Sequence, residues 1–539
     1  MKTLMRVLLW VVAAVVVLGI ALALWVRTLA KDDGGAGRPT YGQPYTWTQP
    51  EISPGVAAPT PTPGGGPVPR ADGYVMGSLG NDFLLPPMPP VRAMDIHRAD
   101  SVFANAKLKT CFWPGPKLRP GFYTTDPDAY GIENQIPDTM NTFDTAWFKL
   151  PAGATLVVKG DYPHQRHWSF TTYSVDGEPR DALDDVDIDP DVGSFNPFRP
   201  GVRRDATPRR YSFTIANGNP PANRPRNMVY TLAEPGTAIG MHMRNYVPDR
   251  SETFLGSVAP PLVELHLADG KVLAGEDACA ATDAPLRGKQ VPLTVPKTLW
   301  MALNSLPWRP ADHTPAHNFE SEPLEKFYNR PYLLIKSFFP WFARDSMAQE
   351  RGGFWSNMST RYGYKYLSQA YGKVYVVHGK MPSTPQTWNG DATPMQQDAN
   401  MRYWSICTAQ APAVGAPVDC VYDENVIPTL DKQGNFNVVI SRAPDRPSNA
   451  TDKCGVSWME YGSGDGIPGG SADFGAVINR HTTVNPSFKQ SWFAVKKAGG
   501  EAEAMGEYLP HVINLHDKTR FEALGCPVDQ SKLAAMVAH

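Results

Sequence analysis

Four arginines stand at matched places in two stretches of the chain: Arg166 and Arg244 are 78 positions apart, and so are Arg402 and Arg480. A guanidinium offers a planar fork of donors that suits a carboxylate or a phosphate, so a converging pair in each stretch would hold an anionic ligand. The plainer role for a strand-end arginine is to pair with a local carboxylate or to stack on a neighbouring ring. Trp168 and Trp404 follow Arg166 and Arg402 by two residues, and they offer either a stacking platform or a core anchor. Ligand contact is therefore expected at Arg166, Arg244, Arg402, Arg480, Trp168 and Trp404, with ion pairing and packing as the competing roles.

A second group is acidic. Asp181, Asp184, Asp185, Asp187, Asp189 and Asp191 crowd the stretch before Gly193-Ser194. Alternating acids are easiest to tolerate when a hard cation bridges them, which makes Asp185, Asp187, Asp189 and Asp191 candidate ligands for a structural calcium. The spacing is not that of an EF-hand, since no glycine occupies the sixth loop position and no glutamate the twelfth. A solvated acidic loop is the alternative.

Catalytic signatures are missing. His164 with His167, His313 with His317 and His511 with His516 are local pairs, but none forms the His-Glu-x-x-His arrangement that puts two ligands and a base on one helical face. In Met241-His242-Met243, strand alternation sends both sulfurs to the face opposite the imidazole, which favours packing over copper binding. Gly455-Val456-Ser457-Trp458 lacks the closing glycine of a nucleophile elbow, and the chain has no P-loop and no dinucleotide fingerprint. No catalytic residue is assigned.

The elements that carry these residues recur. Val157-Val158-Lys159-Gly160-Asp161-Tyr162-Pro163 has a counterpart in Val376-Val377-His378-Gly379-Lys380-Met381-Pro382, and Arg166-His167-Trp168-Ser169-Phe170 in Arg402-Tyr403-Trp404-Ser405-Ile406. Thr139-Met140-Asn141-Thr142 precedes the first set, Asn357-Met358-Ser359-Thr360 the second. Tyr211 to Ile215 matches Phe436 to Ile440 further on. These segments are rich in Val, Ile, Thr and aromatics and are bounded by Gly, Pro, Asn and Asp, the composition of strands ended by turns. The expected fold is mainly β: two related antiparallel β-sandwich or jelly-roll domains, with a short helical connecting region between them. Helices are expected at Lys297–Leu306, Pro323–Gln349, Glu501–Tyr508 and Gln530–His539. The 53 prolines argue against long helices elsewhere.

The Thr139–Thr142 run ahead of a strand, the Arg-x-Trp-Ser strand and the later Arg244-Asn245-Tyr246-Val247-Pro248 resemble exported bacterial β-sandwich proteins carrying paired domains of unknown function. The similarity covers about residues 135–250 and 355–490; His481 and Thr482 depart from it in the second stretch. The resemblance implies an extracytoplasmic two-domain β architecture and brings no catalytic set with it.

Val7 to Val26 is a run of 20 residues without a charge, long enough as a helix to cross a bilayer. Lys2 and Arg6 precede it, Arg27 and Lys31 follow it, and Trp10 and Trp25 sit near its ends, where indole prefers the interface. The run is longer than a signal-peptide core, so residues 1–31 are read as a retained transmembrane signal anchor in the inner or plasma membrane, with the bulk of the chain outside the cytoplasm. Residues 32–71 are a Pro/Gly-rich tether. A first β-sandwich domain is expected over 72–290, an aromatic-rich connector over 291–355, and a second sandwich with a helical tail over 356–539.

The six cysteines fit an oxidising compartment. Pairing Cys111 with Cys279, Cys407 with Cys420 and Cys454 with Cys526 keeps each bridge inside one domain. In the connector, Phe327, Tyr328, Tyr332, Phe338, Phe339, Trp341 and Phe342 put seven aromatics into 16 residues. They suit a membrane surface, the cover of a ligand cleft, or burial between the domains.

With 539 residues, 42% of them hydrophobic and only 19% charged, the chain can bury sizeable cores. Its 51 basic residues against 53 acidic ones give a net charge of −2, which argues against a nucleic-acid partner. The function expected is that of a membrane-anchored protein binding a ligand, an anionic small molecule or envelope polymer, or an envelope partner at the junction of the two sandwiches. The competing expectation is an extracytoplasmic hydrolase or lyase whose acid–base residues lie on loops of both.

Overall fold

A computed structural model describes residues 110–113, 136–283, 301–302 and 319–537, less positions 176, 251, 253–254, 393–394, 396–398, 412–414 and 467–468. The apolar run Val7–Val26 and the 32–71 tether lie outside the described residues. Among the described residues no helix is long and apolar enough to cross a membrane.

The protein is mainly β. Its first unit contains β1 (Asn141–Lys149), β2 (Thr155–Asp161), β3 (Gln165–Tyr173), β4 (Pro179–Asp184), β5 (Arg210–Ala216), β6 (Met228–Tyr230), β7 (Ala238–Pro248), β8 (Leu262–His266) and β9 (Val272–Ala274), followed by helix α1 (Gly275–Thr282). One sheet runs β1-β7-β3-β4 and the other β6-β5-β2-β8-β9. Alternation builds the core: Leu156 and Val158 of β2 and Tyr211, Phe213 and Ile215 of β5 face inward, meeting Phe148, Trp168, Phe170, Met241 and Met243 from the opposing sheet.

The second unit contains β10 (Ser321–Pro323), β11 (Glu325–Lys326), helix α2 (Arg330–Phe338), β12 (Thr360–Ser368), β13 (Val374–Lys380), β14 (Met401–Gln410), β15 (Ala416–Tyr422), β16 (Asn435–Ser441), β17 (Ser457–Glu460), β18 (Phe474–Val484) and β19 (His511–Asn514). Its sheets run β11-β12-β18-β14-β15 and β10-β19-β13-β16-β17. Strand for strand, β12-β18-β14-β15 repeats β1-β7-β3-β4, and β17-β16-β13-β19 repeats β6-β5-β2-β8. Even the parallel pairs recur, β5 with β6 and β16 with β17, in otherwise antiparallel sheets. The register repeats too: Ser169 lies opposite Arg244 and Ser405 opposite Arg480, so the arginines hold equivalent places in the two sheets.

Several expectations shift. β10 and β11 lie in the stretch expected to be connector, yet they pair with β19 and β12. The helix expected over Pro323–Gln349 shrinks to Arg330–Phe338, because Asn329 caps its start by accepting from the Tyr332 amide and Pro340 follows its end. Only Met301 and Ala302 of the Lys297–Leu306 helix are described, and both are helical. Near the C-terminus, helical turns cover Glu501–Met505 and Gly506–Tyr508, and a helix covers Gln530–Val537. Phe521, Leu524, Val528 and Leu533 cover the outer face of the β13–β16–β19 sheet. All three expected disulfides are present: Cys111–Cys279, Cys407–Cys420 and Cys454–Cys526.

Candidate functional site

The two units meet through the outer faces of their β1-type sheets, and the four recurrent arginines cross that boundary in two reciprocal sets. Arg166 donates through Nη1 to Asp423 at 2.6 Å and through Nη2 to Glu424; Arg402 donates to Asp185 and, at 2.9 Å, to the Phe198 carbonyl. Each carboxylate is also held at home: Asp185 accepts from the Trp168 amide at 2.8 Å and Asp423 from the Trp404 amide at 3.1 Å. Both guanidinium groups are wholly buried. Burial pushes the Asp185 carboxyl up, but Arg402 and His167 outweigh it and hold the group below its ordinary value. For Asp423 and Glu424, burial wins over the single guanidinium they share, and both are raised. The donor forks expected to take an anionic ligand at Arg166 and Arg402 are thus filled by the protein's own carboxylates.

Arg244 and Arg480 form the second set. Each donates to the carbonyl of a left-handed residue just ahead of the other unit's first long strand: Arg244 to Trp355 at 2.6 Å and Arg480 to Ile136 at 2.5 Å. The same two residues donate their amides to equivalent turns, Trp355 to Gly177 at 2.9 Å and Ile136 to Gly415 at 2.8 Å. Gly177 has φ +83°, and a Cβ there would run into the Trp355 indole.

Between these two arginines lies a cavity of about 110 Å³. The first unit supplies Asp138, Asn141, Phe143, Arg244 and Tyr246. The second supplies Tyr362, Tyr364 and Tyr366 from one face of β12, with Ala476, Ile478 and Arg480 from β18. Phe327, Leu333, Phe354 and Trp355 close it. Its walls are chiefly aromatic, and Arg244 lies over the rings of Phe143 and Tyr173 at 5.5 Å while Arg480 lies over Tyr362 at 5.8 Å. His242 stacks on Trp355 at 4.9 Å and accepts from Arg244 through Nδ1; burial, reinforced by Arg244, holds its pKa well below the ordinary value, so it stays neutral.

The remaining candidates lie elsewhere. Trp168 and Trp404, expected as possible ligand contacts, are core anchors against Phe170 and Phe436, and neither lines the cavity. Met241 and Met243 enter the core while His242 takes the other face, as alternation requires. The acids do not converge on a cation position. Asp185 faces Arg402, Asp189 is bonded to Arg199 and Arg226, the Asp187 carbonyl accepts from Arg226, and Asp191 accepts from Ser212 at 3.3 Å. Among the described residues, the one convergent set of three possible ligand groups is Asp138 with Cys407 and Cys420, whose sulfurs are joined to each other. The calcium expected at Asp185, Asp187, Asp189 and Asp191 therefore has no ligand cage, because arginines neutralise Asp185 and Asp189. The aromatic connector divides: Phe327 lines the cavity, Tyr332 and Phe338 are buried, and Trp341 and Phe342 are more than half exposed.

Sequence reasoning missed Asp138, Asn141, Trp355 and the β12 tyrosines. The tyrosines carried a readable signal, since Tyr362-Gly-Tyr364-Lys-Tyr366 alternates and so presents three rings on one side of a strand.

No family model matches the chain, and no curated protein matches it. Among solved structures, an uncharacterized protein from Burkholderia cenocepacia is 13% identical, with 74% of this chain and 83% of that chain covered and a TM-score of 0.37. A Vibrio parahaemolyticus protein is 10% identical, with 78% and 94% covered and a TM-score of 0.32.

Proposed function

We propose that this chain is a binding protein whose two β-sandwich units, one ancestral unit used twice, hold a small ligand in the cavity at their junction. The observation that carries the reading is the cavity itself. At roughly 10–15 Å³ for each water, about 110 Å³ admits on the order of seven to eleven waters, or an organic molecule of comparable bulk. A concave site with aromatic walls and a few convergent polar groups is the usual form of a small-molecule site. The lining supports binding over acid–base chemistry: its described residues include one carboxylate, Asp138, and no histidine, lysine or cysteine. Asp138 already accepts the hydroxyls of Tyr403 at 2.8 Å and Ser405 at 2.5 Å.

The setting proposed is extracytoplasmic, with the chain tethered through Val7–Val26. Three disulfides support an oxidising compartment.

The test uses the full chain in a non-ionic detergent, with 3-phenyl-1-propanol as a neutral probe and calorimetry as the readout. Ala476 and Ala411 both line the cavity from the second unit, and Ala476→Phe and Ala411→Phe each put a ring into it. Probe binding to the wild type that is lost in both variants, at unchanged thermal midpoints, is the result expected. Equal binding to wild type and variants, or no binding to wild type, overturns the reading.

A further inference from the structure

The two arginines at the cavity are equivalent in the fold but not in their surroundings. Arg480 donates through Nη1 to Cys407 Sγ at 3.0 Å, and that nitrogen stands 3.9 Å from the Asp138 carboxylate. Asp138 stands three residues before Asn141, the first residue of β1. The same place before β12 is held by Asn357, an amide, because Asn141 and Thr360 occupy matching register positions opposite Tyr246 and Thr482. The local turns agree: Asp138 accepts from the Met140 amide and Asn357 from the Ser359 amide. Where Arg480 has a carboxylate beside it, Arg244 has a neutral side chain.

Arg244 is only 2% exposed, no carboxylate among the described residues lies within ion-pair distance of it, and its Nη1 has no hydrogen-bond partner. Asn141, on the neighbouring strand and the same cavity wall, leaves both Oδ1 and Nδ2 without partners. Its counterpart Thr360 is satisfied by the Thr482 hydroxyl at 2.8 Å. A buried charge without a counter-charge is costly, and buried polar groups are normally paired, so the two donors, Arg244 Nη1 and Asn141 Nδ2, together mark a place for an anion.

We infer that the ligand is a hydrophobic monocarboxylate, its carboxylate held by Arg244 Nη1 and the Asn141 amide and its apolar body lying against Tyr362, Tyr364 and Ile478. The inference rests on the binding reading above and names the ligand's chemistry. One unbalanced guanidinium matches one negative charge, whereas a phosphate dianion would leave a charge over. Arg480 adds no second free cation, since Asp138 stands beside it. The cavity's size suits a body of roughly a dozen non-hydrogen atoms.

The experiment compares 3-phenylpropanoate, 3-phenyl-1-propanol and phenyl phosphate by calorimetry on the full chain. Asn357→Asp gives Arg244 the counter-charge that Arg480 already has, in a side chain of the same shape, and Arg244→Gln removes the charge while keeping a donor for the Trp355 carbonyl. We expect the carboxylate to bind the wild type at least tenfold more tightly than the alcohol. Both variants should erase that preference, so that each binds acid and alcohol within about twofold of one another. Equal affinities for acid and alcohol, or a preference that survives both variants, overturn the inference and leave the cavity reading standing, provided that Ala476→Phe still blocks the alcohol. Tighter binding of phenyl phosphate overturns the monocarboxylate assignment. If no probe binds the wild type, both readings fall.

Discussion

Replacing Arg402 by methionine keeps most of the side chain's bulk and removes the charge that faces Asp185 across the boundary between the units. Asp185 and Arg402 are both wholly buried, so the carboxylate left behind keeps only the Trp168 amide and the His167 ring, each at 2.8 Å. Breaking a buried pair from one side costs about 3–5 kcal/mol, and the two surviving donors place this case near the lower end, about 3 kcal/mol. Asp185→Asn strands the Arg402 guanidinium and should cost a similar amount. The double variant removes both charges, so its loss should fall well short of the sum of the singles, with a coupling of about 2–4 kcal/mol. Acid supplies a second signature. In the wild type the Asp185 carboxyl lies below its ordinary value, so its contribution is present above the unfolded value and is lost as pH falls through the folded one. Without Arg402, burial dominates and the carboxyl rises; the folded variant then takes up its proton more readily than the unfolded chain, and the gap from wild type narrows on acidification. Urea unfolding at pH 7 and pH 4, followed by far-ultraviolet circular dichroism and tryptophan fluorescence, reads both effects. A single-variant loss under about 1 kcal/mol, or strict additivity in the double, would refute the claim that reciprocal ion pairs join the units.

His481 is buried against Trp492, and burial drives its pKa down to about 3. The folded chain therefore refuses a proton that the unfolded chain accepts near pH 6.5, and stability falls by about 1.4 kcal/mol for each pH unit below that value until pH 3. His481→Phe should flatten this part of the profile by about 2 kcal/mol between pH 6.5 and pH 5, and an unchanged slope in urea titrations would count against it. Replacing Cys454 and Cys526 by serine opens a bridge across 72 positions. Loop entropy puts the loss at about 4 kcal/mol, read as a lower urea midpoint with the other two bridges intact; a loss below about 1 kcal/mol would contradict the entropic account.

The sandwiches and the disulfides were legible because they depend on local composition and on spacing. Strand segments such as Val157–Gly160 and Val376–Gly379 announce themselves by β-branched residues between turn formers, and the recurrent arginines mark equivalent strand positions. Partnership across the boundary was not legible. Arg166 finds Asp423 over 257 positions and Arg402 finds Asp185 over 217, and no local pattern distinguishes a guanidinium so satisfied from one left open, as at Arg244. A one-residue slip hid the rest. Read by sequence, Thr142 faces Thr360; by register, Asn141 does, and only that alignment sets Asp138 against Asn357.

The position of the cavity follows from how the two units differ in bulk at matched places. On the first unit's outer face, Trp147 and Tyr173 flank Trp355, whose ring lies over His242 and close above Gly240. The matched places on the second unit hold Tyr366 for Trp147, Ala409 for Tyr173, Ile136 for Trp355 and Ala476 for Gly240, the strand residues by register and Ile136 by its equivalent turn. Two rings are thus replaced by an isoleucine and an alanine. The backbone cannot collapse to fill the difference, because Ile136 is fixed by the Gly415 carbonyl and by Arg480 just as Trp355 is fixed by Gly177 and Arg244. Space remains along Tyr362, Tyr364 and Ile478, and it reaches the boundary where Arg244 lacks the carboxylate that its counterpart has. Loss of bulk against the second unit's sheet and loss of the counter-charge to Arg244 meet in a single cavity. Either change alone would cost stability without making a site; together they give an apolar chamber with one open cation at its end.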